Sequence, residues 1–148
     1  MIALGSDHGG YKLKEEIKRY FDEVGIEYED FGTHSEERTD YPLYAAKVAE
    51  AVQNKDCDNG IVICKTGFGV SIVANKYEGI RCAPCYDEES AKLAKEHLDI
   101  NVLALPANTL SISKVVGIIR IWLGANFLEG RYRERLQMIE EIEKNNMK

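Results

Sequence analysis

The chain has 148 residues, 45% of them hydrophobic and 30% charged, with a formal net charge of −6. That length and composition suit a single domain, residues 1–148, with a full hydrophobic core. No apolar run approaches the roughly 18 residues of a membrane span, and basic residues interleaved with acids exclude a broad nucleic-acid surface.

Ile2-Ala3-Leu4 reads as a short buried strand. After the polar turn Ser6-Asp7-His8-Gly9-Gly10, apolar residues at Leu13, Ile17, Tyr20, Phe21 and Val24 keep helical spacing up to Gly25. Residues 26–31 alternate as a strand, and Asp40 with Pro42 signals a helix ahead of Tyr44, Val48 and Val52. Gly60 to Cys64 has the compact apolar character of a central parallel strand, followed by Lys65-Thr66-Gly67-Phe68-Gly69 and a short helix through Ala74. A strand near 80–83, a helix over 87–97, a strand over 101–105, an apolar helix over 111–127 and an amphipathic helix over 132–144 complete the chain. Strand and helix alternate throughout, which predicts an α/β fold: a Rossmann-like, three-layer α/β/α domain on a parallel sheet. Ligands in such sheets bind beyond the strands' carboxyl ends, here the loops at 6–10, 65–69 and 106–111.

The first eight residues show no basic region ahead of an apolar one, so the sequence reads as cytoplasmic and its four cysteines, Cys57, Cys64, Cys82 and Cys85, as free thiols. Two motifs are decoys. Lys65-Thr66 lacks the glycine and the spacing of a nucleotide P-loop. Cys82-Ala83-Pro84-Cys85 looks like a redox pair, but Cys82 falls on a strand and lacks the helix terminus that would favour its thiolate. A thiol redox protein built on that pair is kept as one alternative, and no metal site is expected because no second ligand pair is visible.

Cys64 is better placed. It ends a buried strand and leads into a glycine-containing turn at a helix start, where converging N–H groups stabilise an oxyanion and a neighbouring thiolate. Packing as a small apolar side chain is the competing reading. Asp7-His8 occupies the first strand's carboxyl end, as ligand residues or as a polar helix cap. His97 closes a helix, where it either compensates the dipole or reaches a site. Arg131 and Arg135 are four apart and share a face once a helix has begun, suiting either a phosphate or a solvated basic turn with Glu129 and Glu134.

Several segments together resemble the B-type ribose-5-phosphate isomerase family, which includes the galactose-6-phosphate isomerase subunits. They are Gly5 to Tyr11, Glu37 to Pro42, Gly60 to Gly67, Ala74-Asn75-Lys76, Gly79-Ile80-Arg81, His97 with Asp99, Asn101 to Ala104, and Gly130-Arg131 with Arg135. The resemblance implies a cofactor-independent aldose–ketose isomerase acting on a phosphorylated sugar. Cys64 would move a proton between C1 and C2 through an enediolate, with Thr66 and the amides around Gly67 and Gly69 holding the negative oxygen. His97 with Asp7 would open the sugar ring; His8, Arg131 and Arg135 would hold the phosphate; Tyr41 and Asn101 would line the sugar site. It further implies a homodimer or dimer of dimers with active sites at the subunit boundary, the C-terminal helix being exchanged with the partner.

The chain departs from that family at three places. Lys65 follows the cysteine where the family has glycine, Leu98 follows the histidine where it has asparagine, and Leu105-Pro106-Ala107-Asn108 replaces a loop carrying glycine and a phosphate-binding arginine. One charged hydrogen bond to phosphate is worth about 1.5–3 kcal/mol, so these changes bear on the substrate more than on the reaction. A hexose 6-phosphate isomerase and a non-catalytic sugar-phosphate-binding subunit are the other readings.

Overall fold

In a computed structural model, which describes residues 1–147, the chain alternates strand and helix from Ile2 to Gly124 and ends in one further helix. The elements are β1 (Ile2–Ser6), α1 (Tyr11–Val24), β2 (Tyr28–Asp30), α2 (Tyr41–Gln53), β3 (Asn59–Cys64), α3 (Phe68–Ala74), β4 (Cys82–Pro84), α4 (Glu88–Leu98), β5 (Val102–Pro106), α5 (Ile112–Gly124) and α6 (Arg131–Asn146). All strand pairs are parallel, in the order β2-β1-β3-β5-β4. The chain therefore winds outward in both directions from the β1/β3 pair, whose carboxyl ends form the crevice where such sheets hold ligands.

Side-chain alternation along the strands creates the layers. Ile2, Leu4, Ile61, Ile63, Leu103 and Leu105 face one way, packing against Leu13, Ile17 and Phe21 of α1 and against α4 and α5. Ala3, Val62, Cys64 and Ala104 face the other, against Ala45, Val48 and Val52 of α2 and Val70 and Ala74 of α3. The second face is made of smaller side chains so that α2 can approach closely. A Cβ at Gly60 would lie 2.5 Å from Val48 Cγ1 and one at Gly5 2.7 Å from Val48 Cγ2.

The expected helix boundary at 127 is wrong by about a turn. Backbone order changes at Ala125, which is extended (φ −77°, ψ 156°), and the Leu128 N–H leaves the helix direction to donate to Glu96 O at 3.0 Å. That contact ties the segment before α6 to α4.

Short β2 is fastened by charge. Lys14, fully buried, and Lys18 both donate to the Asp30 carboxylate, at 2.5 and 2.9 Å, and the Gly32 N–H donates to it as well. Burial works to raise the Asp30 pKa, but these donors prevail and hold it below the ordinary carboxylate value. Edge strand β4 is fastened by amides: Asn75 donates to Cys82 O and accepts from Cys82 N–H, both at 2.8 Å.

Candidate active site

The carboxyl ends of β1 and β3 bring together Asp7, His8, Tyr41, Cys64, Thr66, Gly67 and Gly69. Cys64, 6% exposed, is the last residue of β3. The chain then turns through Gly67, which takes a left-handed conformation (φ 80°) and is packed against the backbone of Leu105, so glycine is required there. This turn swings the Gly67 N–H back to donate to Cys64 Sγ at 3.2 Å. Thr66 Oγ1 accepts the Phe68 N–H at 3.2 Å, which leaves its own proton free to donate outward. The Gly69 amide lies in the first turn of α3, where N–H groups have no intrahelical acceptor.

Two further elements close around this turn. Tyr41, at the start of α2, lays its ring over Gly69 so closely that a Cβ there would meet ring carbons at 2.6 Å. From the other side the Tyr86 hydroxyl donates to Thr66 O at 3.1 Å, and its ring lies 6.2 Å from that of Phe68. Burial and the nearby Cys64 push the Tyr86 phenol pKa upward.

Asp7 is nearly buried; its Oδ1 accepts the Gly10 N–H at 3.1 Å, shaping the turn into α1. His8 Nδ1 faces both the Thr39 N–H, at 3.2 Å, and the Thr39 carbonyl oxygen, at 3.1 Å, which fixes the ring's orientation and turns Nε2 away from Thr39. Thr39 is itself held near the Tyr44 hydroxyl at 3.2 Å. The segment around Thr39 thus sets the orientation of the His8 ring.

His97, Arg131 and Arg135 are elsewhere. Cys64 pairs in register with Pro106, the last residue of β5, whereas His97 precedes Val102, its first. Helix α4 returns against the strand direction, so its final turn lies at the amino ends of the strands. Those two ends are separated by about 13 Å of strand rise. His97 stands at the amino-end side of a groove of about 480 Å³ that runs along α4 from Pro84 and Ser90 to Tyr132 and Arg135. Its imidazole stacks on the Tyr132 ring, with centroids 4.4 Å apart and planes within 5°. The Arg131 and Arg135 guanidinium groups lie 5.1 and 5.8 Å from the same ring. Arg133 instead pairs with Glu129, at 2.6 and 3.0 Å. Tyr132, not singled out in the sequence, is the hub of this cluster; its position between two arginines one helical turn apart was the available signal.

Asn101 lies away from the Cys64 turn, at the amino end of β5. Its Oδ1 accepts the Arg81 N–H at 2.8 Å and its Nδ2 donates to Gly79 O at 2.9 Å, so the whole amide holds the segment leading into β4. Arg81 in turn donates to Leu98 O and Asp99 O, capping the end of α4. The Cys82 and Cys85 thiols are both buried, and desolvation pushes them up to about 12 and about 11, which leaves them protonated near neutral pH. Among the described residues no group of three or more His, Cys, Asp or Glu is placed to hold a metal ion, and no helix is long and apolar enough to cross a membrane.

A doubly wound domain that places a buried thiol, a carboxylate and free loop amides at its switch point has the form of a small-molecule enzyme. Comparison with known proteins makes the class specific. The family model described as Ribose/Galactose Isomerase matches residues 2–139. Ribose-5-phosphate isomerase B of Escherichia coli is 46% identical over 142 residues, covering 96% of this chain and 95% of that protein. Among solved structures, ribose-5-phosphate isomerase B of Clostridium thermocellum is 49% identical with a TM-score of 0.95, covering 97% of each chain. The Mycoplasma genitalium enzyme with bound ribulose-5-phosphate is 37% identical with a TM-score of 0.91, covering 97% of this chain and 95% of that one. The chain belongs to the ribose/galactose isomerase family, and with it to the aldose–ketose isomerases.

Proposed function

We propose that this protein interconverts D-ribose 5-phosphate and D-ribulose 5-phosphate, with Cys64 as the base and with each active site completed by a second copy of the chain. The observation that carries the reading is the Cys64 thiol at the switch point with the Gly67 N–H aimed at its sulfur. A thiolate there takes the proton from C2 of the open-chain aldose while the electron pair moves toward the C1 oxygen, giving an enediolate. Transfer of the hydroxyl proton from the C2 oxygen to the C1 oxygen, and return of the carbon-bound proton to C1 as the C2 oxygen becomes a carbonyl, give the ketose. The Thr66 hydroxyl and the Gly69 amide face the oxygens on which negative charge develops; a well-aimed donor of this kind is worth about 2.7–4 kcal/mol. His8 Nε2, turned away from Thr39, donates to the phosphate when it carries the proton, and Tyr41 walls the sugar.

Ring opening needs a second acid–base group, and the phosphate needs more positive charge than His8 supplies. His97, Arg131 and Arg135 have the chemistry for both tasks but sit at the far end of their own chain's sheet. A two-fold dimer solves this, since it sets one copy's groove against the other copy's switch point. Exposed apolar side chains on α6, including Met138 (62%), Ile139 (45%) and Ile142 (60%), supply a surface for that contact. In this reading α6 is the element that reaches across, and His97 of the second copy works with Asp7 on the ring oxygen.

A second reading, a hexose 6-phosphate isomerase, is favoured by the neutral β5–α5 turn, in which the Asn108 N–H donates to Lys65 O at 3.0 Å. Assays of ribose 5-phosphate, allose 6-phosphate and galactose 6-phosphate decide between them. Turnover of ribose 5-phosphate, reduced by about 10²–10⁴-fold in Cys64→Ala, supports the pentose reading. Preference for a hexose phosphate supports the second. Binding with no turnover of any of the three makes the chain a sugar-phosphate-binding subunit.

A further inference from the structure

The loops that follow β1, β3, β4 and β5 at the carboxyl face are Asp7 to Gly10, Lys65 to Gly67, Cys85 to Asp87 and Ala107 to Ser111. Lys65 is the sole lysine or arginine in them, and the loop after β2 adds one further cation, the exposed Arg38. Lys65 is exposed, but its stem is laid along the β1–α1 turn. A Cβ built on Gly9 would lie 2.8 Å from Lys65 Cγ and 3.2 Å from Lys65 Cε, with Asp7 Oδ1 at 3.4 Å. The lysine therefore crosses from the end of β3 onto the β1–α1 turn, and the missing side chain at Gly9 makes the track it lies in. Among the described residues no carboxylate comes within 4.0 Å of its ammonium; the same holds for Lys47, Lys55, Lys76, Lys92, Lys114 and Lys144, but of these seven only Lys65 stands at the carboxyl end of a strand. An unpaired cation laid over a turn that also presents His8 has the chemistry of an anion anchor.

We propose that Lys65 is a phosphate-binding, specificity-determining residue: its ammonium, seated over Gly9 beside His8, holds the substrate's phosphate from the β3 side of the crevice. This rests on the sugar-phosphate isomerase reading above. Successive residues at the end of a strand point to opposite sides, so Cys64 and Lys65 serve different ends of one ligand: the thiol the reacting carbons, the ammonium the phosphate. The neutral Asn108 beside the Lys65 carbonyl leaves that anion to the lysine alone on this side.

The test measures wild type, Lys65→Met and Lys65→Arg on ribose 5-phosphate and on unphosphorylated ribose, with inorganic phosphate as a competitive inhibitor. Loss of one charged contact predicts that KM for ribose 5-phosphate and Ki for phosphate rise by about 10–100-fold in Lys65→Met. The kcat should stay within a few-fold, the preference for the phosphorylated over the plain sugar should fall by the same factor, and Lys65→Arg should recover most of it. Unchanged KM and Ki would overturn the proposal. So would an equal loss on ribose and ribose 5-phosphate, which would place the cation at the reacting carbons. If wild type turns over none of the three sugar phosphates, the isomerase reading fails separately. Lys65 is then judged by inorganic phosphate alone: a phosphate-induced rise in melting temperature that disappears in Lys65→Met upholds the anchor, and a rise of equal size in both proteins refutes it.

Discussion

The two ends of the sheet are built differently. At the carboxyl end of β1 and β3, functional groups sit on short loops whose geometry is fixed by glycines under steric pressure: Gly67 against Leu105, Gly69 under the Tyr41 ring, Gly9 under the Lys65 stem. At the amino end, the groove holding His97 is lined by long side chains on two helices, joined by ring stacking and by two arginines over Tyr132. The first region is preorganised backbone, suited to chemistry on a small charge. The second is a cationic surface of long side chains, suited to meeting a ligand presented from outside. In the proposed dimer each supplies what the other lacks.

Substitutions should separate them. His97→Gln should lower kcat by about 10²–10⁴-fold with little change in melting temperature, because His97 is half-exposed and stacks on one face only. Gly69→Ala should displace the Tyr41 ring and cost about 10²-fold in kcat/KM, the usual penalty for a misplacement near 1 Å; circular dichroism should show the fold retained. Away from both ends, Asp30→Asn strips the buried Lys14 of its counter-ion and should destabilise the protein by about 3 kcal/mol, read by urea unfolding. Since the folded Asp30 pKa lies below its ordinary value of 3.8, the ion pair's contribution is present in full above that value. It is lost as pH falls through the lower folded one. The smallest effect is expected for Cys85→Ser: activity within about two-fold and a stability loss of about 1–2 kcal/mol for a buried hydroxyl. A redox role would instead abolish function.

Much of the carboxyl end was legible in the sequence. An apolar run ending in Cys64, followed at once by Thr66, Gly67 and Gly69, states both the strand and the turn, and the paired alternation of strand and helix places that turn at a ligand crevice. What sequence could not convey was distance. His97 and Cys64 are both near strand boundaries, but one precedes its strand and the other ends it; the rule that ligands gather at carboxyl ends already marks His97 and Asn101 as outliers within their own chain. Asn101 was expected at the sugar site from the resemblance, yet its amide, like that of Asn75, latches β4, a three-residue strand too short to hold itself at the sheet edge. The end of α5 was misplaced because Ala125 to Phe127 remains apolar, while the turn there is set by a tertiary bond from Leu128 to Glu96. Tyr132 and the path of Lys65 across Gly9 depend on packing between segments far apart in sequence, which periodicity does not report.

The central claim, that each active site is assembled from opposite ends of two chains, is tested most directly by complementation. Cys64→Ala and His97→Gln chains carrying different affinity tags are co-expressed, and only mixed dimers are recovered. In a two-fold dimer one site then holds both substitutions and the other neither, so about half of wild-type activity should return from two parents that are each nearly inactive. Mixed dimers no more active than either parent would show that Cys64 and His97 serve the same site within one chain, and would contradict the split-site account.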